Sequence, residues 1–328
     1  MQVAVAIVLR ETGGAGVLRQ ENVEVGRPGP EELRIRQTAI GINFHDAYVR
    51  SGLYRTLALP GIPGIEAAGV IEEIGSGVAG FSIGDRIAYV TAQYGAYASH
   101  RLLPAQLAVR LPSWMDDDMA ATVLLKGLTA EMLVRQVHRV RPGDVILVHA
   151  AAGGVGRLVC QWASHLGATV IGTVGSPAKA ELAHAAGCAH TILYRQESFV
   201  ERVREITGGQ GVNAAYDSVG KDTFLGSLEC LAVRGHLVNF GQSSGSVEPF
   251  QVSRLAPKSG SLTRPGIFHY VGQRALLEEM AAALFDVLAA GVLHVQAARP
   301  FPLVAAAQAH EVLESRERMT PLLLKPQE

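Results

Sequence analysis

The sequence predicts an α/β protein with a doubly wound parallel sheet and a second, mostly β domain. Three observations lead to this fold class. A turn of small residues joins a strand to a helix near the middle of the chain, strands and helices alternate after it, and closely spaced strands with glycine-rich turns precede it. With 328 residues, the chain has room for about two domains.

The small-residue turn follows the apolar run Val145–Val148, whose length and β-branched content indicate a buried strand. Ala151, Gly153 and Gly156 have the spacing of G-x-G-x-x-G, with alanine at the first position, and a helical apolar pattern follows. Missing Cβ atoms let the backbone approach a pyrophosphate, and the helix N-terminus offers free N–H groups. A turn that only packs a helix on a sheet is the alternative, but the flanking strand and helix favour the binding site. The predicted pyrophosphate contacts are Gly153, Gly154, Val155 and Gly156.

Strands and helices alternate from this turn onward, which is typical of βαβ units with helices on both faces of a parallel sheet. The predicted strands are Val145–His149, Ala168–Thr173, Thr191–Tyr194, Asn213–Asp217, Gly235–Phe240 and an edge strand near Ser261–Thr263. The predicted helices begin near Gly154, Pro177, Ser198 and Asp222.

The segments before and after this region predict a barrel-like β unit with covering helices contributed by the end of the chain. The predicted strands are Val3–Leu9, Glu32–Ile40, Gly69–Gly75, Asp85–Val90 and Leu322–Leu324. Ser113–Asp116 has capping-box spacing before a helix at Met119–Val137, interrupted near Lys126–Gly127. Two further helices are predicted at Gln273–Ala290 and Ala305–Arg316. The expected domains are residues 1–124, 125–264, and a return to the first domain at 265–328.

Composition excludes several classes of protein. The formal net charge is −1 without a long block of either sign, which gives no reason to expect nucleic acid or a membrane as partner. The most apolar long window, Met280–Ala298, is interpreted as a core helix and turn because it contains charged and turn residues. Cys160, Cys188 and Cys230 lie far apart and predict buried thiols in a reducing compartment, the cytoplasm.

Several motifs in one order resemble the quinone oxidoreductases, the zinc-free, NADPH-dependent branch of the medium-chain dehydrogenase/reductase superfamily. The resemblance runs nearly end to end and implies a dinucleotide-binding Rossmann domain and a GroES-like catalytic domain. The motifs are Gly41–Tyr54, Gly64–Gly69, Leu125–Thr129, His149–Gly156, Tyr216–Gly220 and Asn239–Gly241.

The positions of the zinc ligands test this resemblance. Zinc enzymes of the superfamily place a cysteine near position 43 and a His-Glu pair near 65–66, where this chain has Asn43 and Ile65–Glu66. The three scattered cysteines also exclude a four-cysteine structural lobe. The neighbouring His45 and Asp46 are interpreted as solvated loop residues. We therefore predict that the protein has no metal.

The region after the second strand predicts NADPH as cofactor. An NAD site places Asp or Glu about 20 residues past the glycine turn, whereas Gly172–Lys179 contains no acid. A carboxylate would repel the 2′-phosphate and Lys179 adds a positive charge, although an ordinary solvated lysine is the alternative. The resemblance implies that the 2′-phosphate is held by Gly175, Ser176, Lys179 and Tyr194, with a contribution from Arg316.

The resemblance also implies the residues around the nicotinamide and the acceptor. Tyr48 and Tyr54, on the predicted loop after Asn43, offer ring faces and hydroxyl donors to a flat conjugated molecule. Phe240 has an equally good interpretation as a core aromatic. The predicted cofactor cleft is lined by Asn43, Thr129, Ser218, Phe240, Gly241 and Arg264. The predicted substrate pocket consists of Asn43, Tyr48, Tyr54 and Thr129.

The expected activity is the reduction of a quinone by NADPH, with the Asn43 amide and Tyr54 hydroxyl as donors to the acceptor oxygen. Two alternatives stay open: reduction of the C=C bond of an enone or 2-alkenal, and a non-catalytic, crystallin-like NADPH-binding protein. Hydride and single-electron transfer are not distinguished, and the sequence shows no convincing general acid. We also expect a homodimer, with Gly235–Phe240 and Ser259–Thr263 as exposed edge strands.

Overall fold

The computed structural model describes residues 2–315 and 320–326. The chain forms two compact units. Unit 1 comprises the described residues of Met1–Leu125, Phe268–Ala281 and Val295–Glu328, and unit 2 comprises Lys126–Ile267 and Ala282–His294. Within the described ranges, no helix combines the length and apolar character needed to cross a membrane.

The described residues form fifteen strands and nine α-helices. The strands are β1 (Gln2–Leu9), β2 (Leu18–Val25), β3 (Glu32–Gly41), β4 (Glu66–Ile74), β5 (Arg86–Val90), β6 (His100–Pro104), β7 (Ala108–Arg110), β8 (Val145–Val148), β9 (Thr169–Val174), β10 (Cys188–Leu193), β11 (Val212–Asp217), β12 (Leu231–Asn239), β13 (Ser261–Thr263), β14 (Arg299–Pro302) and β15 (Leu322–Lys325). The helices are α1 (Phe44–Ser51), α2 (Asp117–Glu131), α3 (Gly154–His165), α4 (Pro177–Ala185), α5 (Phe199–Ile206), α6 (Phe224–Cys230), α7 (Phe268–Val271), α8 (Arg274–Ala289) and α9 (Ala306–Glu314). A π-helical stretch, Met132–Val137, follows α2.

Unit 2 is built on a parallel sheet with the strand order β10-β9-β8-β11-β12-β13. The chain runs outward from β8 to β10 and then returns to the other side of β8 for β11 to β13. The carboxyl ends of β8, β9 and β11 therefore meet where the strand order reverses, the usual ligand position in such sheets. Leu147, Ile171, Ala215 and Leu237 are fully buried in the core of this sheet. The predicted doubly wound parallel sheet is confirmed.

One prediction about this sheet is wrong. β12, which contains most of the predicted edge strand Gly235–Phe240, pairs with β11 on one side and β13 on the other. The short segment Ser261–Thr263 lies parallel to His236–Val238 and takes the edge position, which confirms the prediction for this segment. The sequence predicted this edge strand, but three residues give too little pattern to show that it pairs with β12.

Unit 1 contains a sheet with the order β14-β15-β3-β4-β5-β7, and β6 also pairs with β3. Its strand pairs are antiparallel except for β14 with β15. Residues of α9 pack in the same apolar core as residues of β1, β3 and β15; among them are Ile7, Leu33, Ala309 and Leu324. The mostly β character predicted for this part of the chain is confirmed.

The helices of unit 1 correct two predictions. Phe44–Ser51 is a helix rather than a loop, because Asn43 caps its start and Gly52 ends it in the left-handed region at φ 83°. The next helix begins after Asp116, whose Oδ1 accepts the Met119 N–H at 2.7 Å, so Asp116 rather than Ser113 is the capping side chain.

The predicted interruption of this second helix is also wrong, because α2 continues through Lys126 and Gly127. The glycine is tolerated because it faces close packing: a Cβ atom at Gly127 would lie 2.5 Å from the Leu284 side chain. The sequence signal therefore marked a contact, not a break.

Candidate functional site

The bend between β8 and α3 has the geometry predicted for a pyrophosphate site. Gly153 caps α3, and the first helical hydrogen bond runs from the Arg157 N–H to the Gly153 carbonyl, at 2.9 Å. The N–H groups of the first turn therefore have no acceptor within the helix. A Cβ atom at Gly156 would lie 2.3 Å from the Ala150 carbonyl oxygen. Only glycine permits this close approach, so the bend fits a phosphorylated dinucleotide.

Two alanines occupy the start of the bend. Ala150 adopts a positive φ of 51°, which is uncommon for a residue with a side chain. Ala151, at the first position of the glycine pattern, donates its N–H to the Thr173 carbonyl at 3.1 Å. A Cβ atom at Gly172 would lie 2.7 Å from the Ala151 methyl group, so the alanine fits because the facing residue on β9 is glycine.

The buried His149, at the start of the bend, forms two hydrogen bonds that fix its position. Its Nε2 lies 2.9 Å from the Ser227 Oγ, and its Nδ1 lies 2.9 Å from the Thr173 Oγ1. The Ser227 hydroxyl donates to the Thr223 carbonyl, so it accepts from Nε2–H, and the Thr173 hydroxyl donates to Nδ1. Burial lowers the pKa of His149 and keeps the ring neutral, as this pattern requires. The ring thereby ties β8 to β9 and α6.

The predicted 2′-phosphate residues come together at the end of β9. Ser176 is the N-cap of α4, Lys179 lies in its first turn, and that turn contains no acidic residue. The Tyr194 hydroxyl lies close to Gly175, since a Cβ atom added to this glycine would be 3.0 Å from the hydroxyl oxygen. Tyr194 is half exposed. Arg316, the fifth predicted member, lies outside the described residues.

A hydrogen-bonded loop follows β11, at the carboxyl ends of the parallel strands. Asp217 is fully buried, and its Oδ1 accepts from the Val219 and Gly220 N–H groups and from the Thr223 hydroxyl, at 2.8, 3.0 and 2.8 Å. Its carbonyl oxygen accepts the Phe240 N–H at 2.8 Å. The end of β11 therefore holds the end of β12.

Arg264 fixes the adjoining loop through Asn239 and Gly241. Its Nη1 donates to the Asn239 side-chain oxygen at 2.5 Å and to the Gly241 carbonyl at 2.9 Å. A Cβ atom at Gly241 would lie 2.5 Å from the Ser218 carbonyl oxygen, so this glycine allows the two loops to touch. Phe240 is half-buried and directly follows β12. Thr129, the remaining predicted residue of this unit, is half-buried on α2.

In unit 1, Asn43 is held by a buried carboxylate. Its Nδ2 donates to Glu66 Oε2 at 2.9 Å, and Glu66 Oε1 accepts the Leu125 N–H at 2.6 Å. Glu66 is fully buried, and a Cβ atom at Gly41 would lie 2.4 Å from its Oε2. The amide of Asn43 therefore has a fixed orientation, with its nitrogen on Glu66.

A second network anchors the helix that begins at Asn43. Arg50 donates to His310 Nδ1 at 3.2 Å, so His310 donates from Nε2 to the Tyr97 hydroxyl at 2.9 Å, and Tyr97 donates to Asp46 Oδ2 at 3.2 Å. The same Asp46 oxygen accepts the Asn43 N–H at 2.8 Å. Burial and the nearby Arg50 charge lower the pKa of His310 to about 3, so the ring is neutral. This chain of contacts links α9 to the start of α1.

The predicted acceptor tyrosines belong to a larger aromatic cluster, which we define as His45, Tyr48, Tyr54, Tyr94 and Phe268. The rings of Tyr48 and Tyr54 meet edge to face at 5.1 Å between centroids. The His45 ring contacts Tyr54 at 5.3 Å, Phe268 at 5.5 Å and Tyr94 at 5.9 Å. The cluster offers π faces and hydroxyl groups, which suit a flat conjugated molecule.

The structure thus adds residues that sequence reasoning missed. His45 and Asp46 were interpreted as solvated loop residues, but Asp46 is fully buried in α1 and His45 is largely buried within the aromatic cluster. Burial lowers the pKa of His45 to about 4. Tyr94 and Phe268 come from distant segments and had no motif. Asp217 and Asn239 stood inside quoted motifs, so their position at strand ends was the signal that could have identified them.

The positions that carry zinc ligands in related enzymes hold the hydrogen-bonded pair Asn43 and Glu66 instead. An amide and a carboxylate bonded to each other lack the thiolate and imidazole of tetrahedral zinc sites. Among the described residues, no group of three or more His, Cys, Asp or Glu side chains is placed to hold a metal ion. Cys160, Cys188 and Cys230 are free and buried, as predicted.

Comparison with known proteins places these features in a family. Two family models match, the zinc-binding dehydrogenase at residues 154–285 and the alcohol dehydrogenase GroES-like domain at residues 29–113. The quinone oxidoreductase of Salmonella typhimurium is 46% identical, over 98% of this chain and 100% of its own length. A 2-haloacrylate reductase from Burkholderia sp. is also 46% identical, over 98% of this chain and 99% of its own.

A solved structure gives the same result. The Escherichia coli quinone oxidoreductase in complex with NADPH superposes with a TM-score of 0.95 at 44% identity, covering 98% of this chain and 100% of that one. A Rossmann sheet with a dinucleotide bend and a GroES-like unit define a medium-chain dehydrogenase/reductase. Within that superfamily, the chain belongs to the quinone oxidoreductase family.

Proposed function

We propose that the protein reduces quinones with NADPH and needs no metal. The observation that carries the proposal is the aromatic cluster in unit 1, which provides ring faces and hydroxyl donors for a quinone. Its members His45, Tyr48 and Tyr54 follow Asn43 closely in the sequence. Membership in the quinone oxidoreductase family supports the same activity. When bound, NADPH would supply two electrons and one proton in total as it is oxidised to NADP⁺.

The cofactor is proposed to bind along the carboxyl edge of the parallel sheet in unit 2. The N–H groups of the α3 first turn suit the pyrophosphate, and Lys179 with the Tyr194 hydroxyl suits the 2′-phosphate. The absence of an acidic residue in the first turn of α4 supports NADPH over NADH. The NADPH complex of the Escherichia coli relative agrees with this choice. Ser218, Phe240 and Gly241 are proposed to complete the cofactor site.

The Asn43 amide and the Tyr54 hydroxyl are proposed to donate to the acceptor oxygen as its negative charge develops. Asn43 keeps one amide hydrogen for this role because Glu66 accepts the other. Since Asn43 is oriented before the acceptor binds, little reorganisation is needed during the reaction. Tyr48, Tyr54 and Thr129 are proposed as the other pocket residues.

A second candidate activity is reduction of the C=C bond in an electron-poor alkene. The specific observation in its favour is the relative named 2-haloacrylate reductase, which is as similar as the quinone oxidoreductases. The aromatic cluster suits a planar quinone, whereas a small carboxylate such as a haloacrylate would need a cationic partner. Quinone reduction is the first choice because the ring faces of the cluster suit a planar acceptor.

The test is the rate of NADPH oxidation with a panel of acceptors: 1,4-benzoquinone, 9,10-phenanthrenequinone, an enone series and 2-chloroacrylate. We expect the highest kcat/KM with a quinone. Dialysis of the protein against a chelator should not lower this activity. Dominant turnover of enones or chloroacrylate with inert quinones would move the assignment to C=C reduction. Tight NADPH binding without turnover of any acceptor would support the crystallin-like alternative.

We further propose a cytoplasmic homodimer with residues 1–124 and 265–328 as catalytic domain and 125–264 as cofactor domain. Three free thiols support a reducing compartment. Among the described strands, β13 pairs with β12 alone, and an open strand edge favours pairing with a second copy. Light scattering at micromolar concentration tests the dimer, and a monomer mass would contradict it.

A further inference from the structure

Three polar side chains of unit 1 form a continuous hydrogen-bonded path through the aromatic cluster. The Nε2 atom of His45 lies 3.1 Å from the Tyr94 hydroxyl. The Tyr94 hydroxyl in turn makes a short hydrogen bond with the Thr56 hydroxyl. Thr56 is exposed, whereas Tyr94 is buried. The path therefore runs from solvent to an imidazole inside the protein.

The inner end of this path lies at the proposed acceptor residues. The His45 ring contacts the Tyr54 ring edge to face at 5.3 Å, and Tyr54 contacts Tyr48. Among the described residues, none forms a hydrogen bond with His45 Nδ1. This nitrogen is also not one of the fully buried side-chain atoms that lack a hydrogen-bond partner, so it retains some solvent-accessible surface. The ring is thus bonded on one nitrogen and open on the other.

Both inner groups have the protonation state that a relay requires. Burial lowers the pKa of His45 to about 4, so at neutral pH the imidazole has one N–H and one lone pair. Burial raises the pKa of Tyr94, so the phenol keeps its proton. When Tyr94 donates to Nε2, the N–H of the neutral ring is on Nδ1, the open nitrogen.

We propose that Thr56, Tyr94 and His45 form a proton relay that supplies the proton needed to complete reduction of the acceptor. This inference rests on the proposed function. Oxidation of NADPH to NADP⁺ supplies two electrons and one proton, so a quinone needs one further proton to become a hydroquinone. The sequence alone showed no group that could provide it.

The relay is balanced as a transfer of one proton. The Nδ1–H bond of His45 breaks as an O–H bond forms on the reduced acceptor, and the Tyr94 proton moves to Nε2. The Thr56 proton moves to Tyr94, and water replaces it. After product release, exchange with water at Nδ1 and return of the Nε2 proton along the hydroxyls restore the starting tautomer.

The test compares Tyr94→Phe and Thr56→Val with the wild type, using 1,4-benzoquinone, in H₂O and in D₂O. Each change removes one hydroxyl and keeps the shape of the side chain. We expect kcat at pH 8 to fall by roughly 10- to 100-fold, with a smaller loss at pH 6, since general acid catalysis contributes factors of about this size or more. The KM for NADPH should change little, and the solvent isotope effect should differ from that of the wild type.

Two further variants separate a relay from packing. Thr56→Ser keeps a hydroxyl and should recover most of the activity lost in Thr56→Val, whereas Thr12→Val, at another exposed threonine of unit 1, should have no effect. His45→Ala should regain activity when imidazole is added. An unchanged kcat and isotope effect in both hydroxyl variants, or a raised quinone KM alone, would overturn the relay. A wild type that turns over no quinone would overturn the proposed function and the relay with it.

Discussion

The cofactor edge of unit 2 and the aromatic cluster of unit 1 are built from different parts of the chain. At the proposed cofactor site the bend from Ala150 to Gly156 is one continuous segment, and backbone groups form the proposed binding surface. The aromatic cluster combines side chains from α1, from the segments around Tyr54 and Tyr94, and from α7. The first is a local structure, and the second exists only after folding.

This difference decides what substitutions do to each region. A backbone site depends on the space that glycines leave, so an added side chain should abolish binding. A side-chain site depends on particular rings, protons and hydroxyl groups, so its response should depend on pH and on single polar atoms. The following predictions test this contrast, from the largest expected effect to the smallest.

Gly156→Val should have the largest effect. The new Cβ atom would lie 2.3 Å from the Ala150 carbonyl oxygen, so the backbone of the bend must move. We expect the Kd for NADPH, measured by fluorescence titration, to rise by more than about 100-fold, and the free energy of unfolding to fall by about 1–3 kcal/mol. Gly26→Ala, where nothing lies within 4 Å of the added atom, is the control. Near-normal affinity in Gly156→Val would show that the bend is not the binding surface.

His45 should make stability depend on pH. Burial lowers its pKa in the folded protein from 6.5 to about 4, so between these values the unfolded chain takes up the proton first. The His45 contribution to the free energy of unfolding is complete above about pH 6.5 and is lost as the pH falls towards 4, by at most about 3 kcal/mol. Urea unfolding at pH 7 and pH 5 measures it.

The control for this pH dependence is His45→Gln, which has no titrating ring. The pKa of His310 is also lowered, so its contribution to the free energy of unfolding falls on acidification too. Only the difference in the free energy of unfolding between wild type and variant therefore reports on His45. That difference should shrink on acidification. A difference that stays constant between pH 7 and pH 5 would mean that the ring is solvated, as the sequence first indicated.

Lys179→Ala should raise the KM for NADPH by about ten-fold and leave that for NADH nearly unchanged. A lysine paired with a partly exposed phosphate contributes on the order of 1–2 kcal/mol, and NADH lacks that phosphate. Steady-state kinetics with both cofactors measure the two values. Arg204→Ala, which removes an exposed positive charge on α5 of the same unit, is the control. Equal effects on NADPH and NADH would refute the phosphate contact.

Phe240→Leu should have the smallest effect. If the half-buried ring contacts the cofactor, the KM for NADPH should rise a few-fold while the melting temperature barely changes. If the ring belongs to the core, the loss should appear in stability instead, at about 1 kcal/mol. Thermal melts and steady-state kinetics on the same preparation distinguish these outcomes, and a purely thermal effect would remove Phe240 from the site.

The same contrast explains what the sequence could predict. The strand, the glycine spacing and the helix of the cofactor bend are adjacent in the chain, so their pattern predicted the structure around Gly156. The missing acid near Lys179 was also visible as a local pattern. The six strands of unit 2 followed from apolar runs and turn residues, although the place of β13 beside β12 depends on pairing over a long connection.

The aromatic cluster shows why the rest was not predictable. Tyr48 and Tyr54 were identified through resemblance to a family, but nothing local indicated that Tyr94 or Phe268 would meet His45. The pKa of a histidine depends on what surrounds it, and 49 residues separate His45 from Tyr94. The helix start at Asn43 could have been recognised in the sequence, because Asp46 stands at the third helical position of a capping box. This segment was nevertheless interpreted as a loop.

A crystal structure of the protein with NADPH and 1,4-benzoquinone bound tests the central claim most directly. The account predicts the pyrophosphate at the first turn of α3, the 2′-phosphate within hydrogen-bonding distance of Lys179 and Tyr194, and a quinone oxygen at Asn43 or Tyr54. A dinucleotide bound away from the Ala150–Gly156 bend, or a quinone that contacts none of the aromatic cluster, would contradict it.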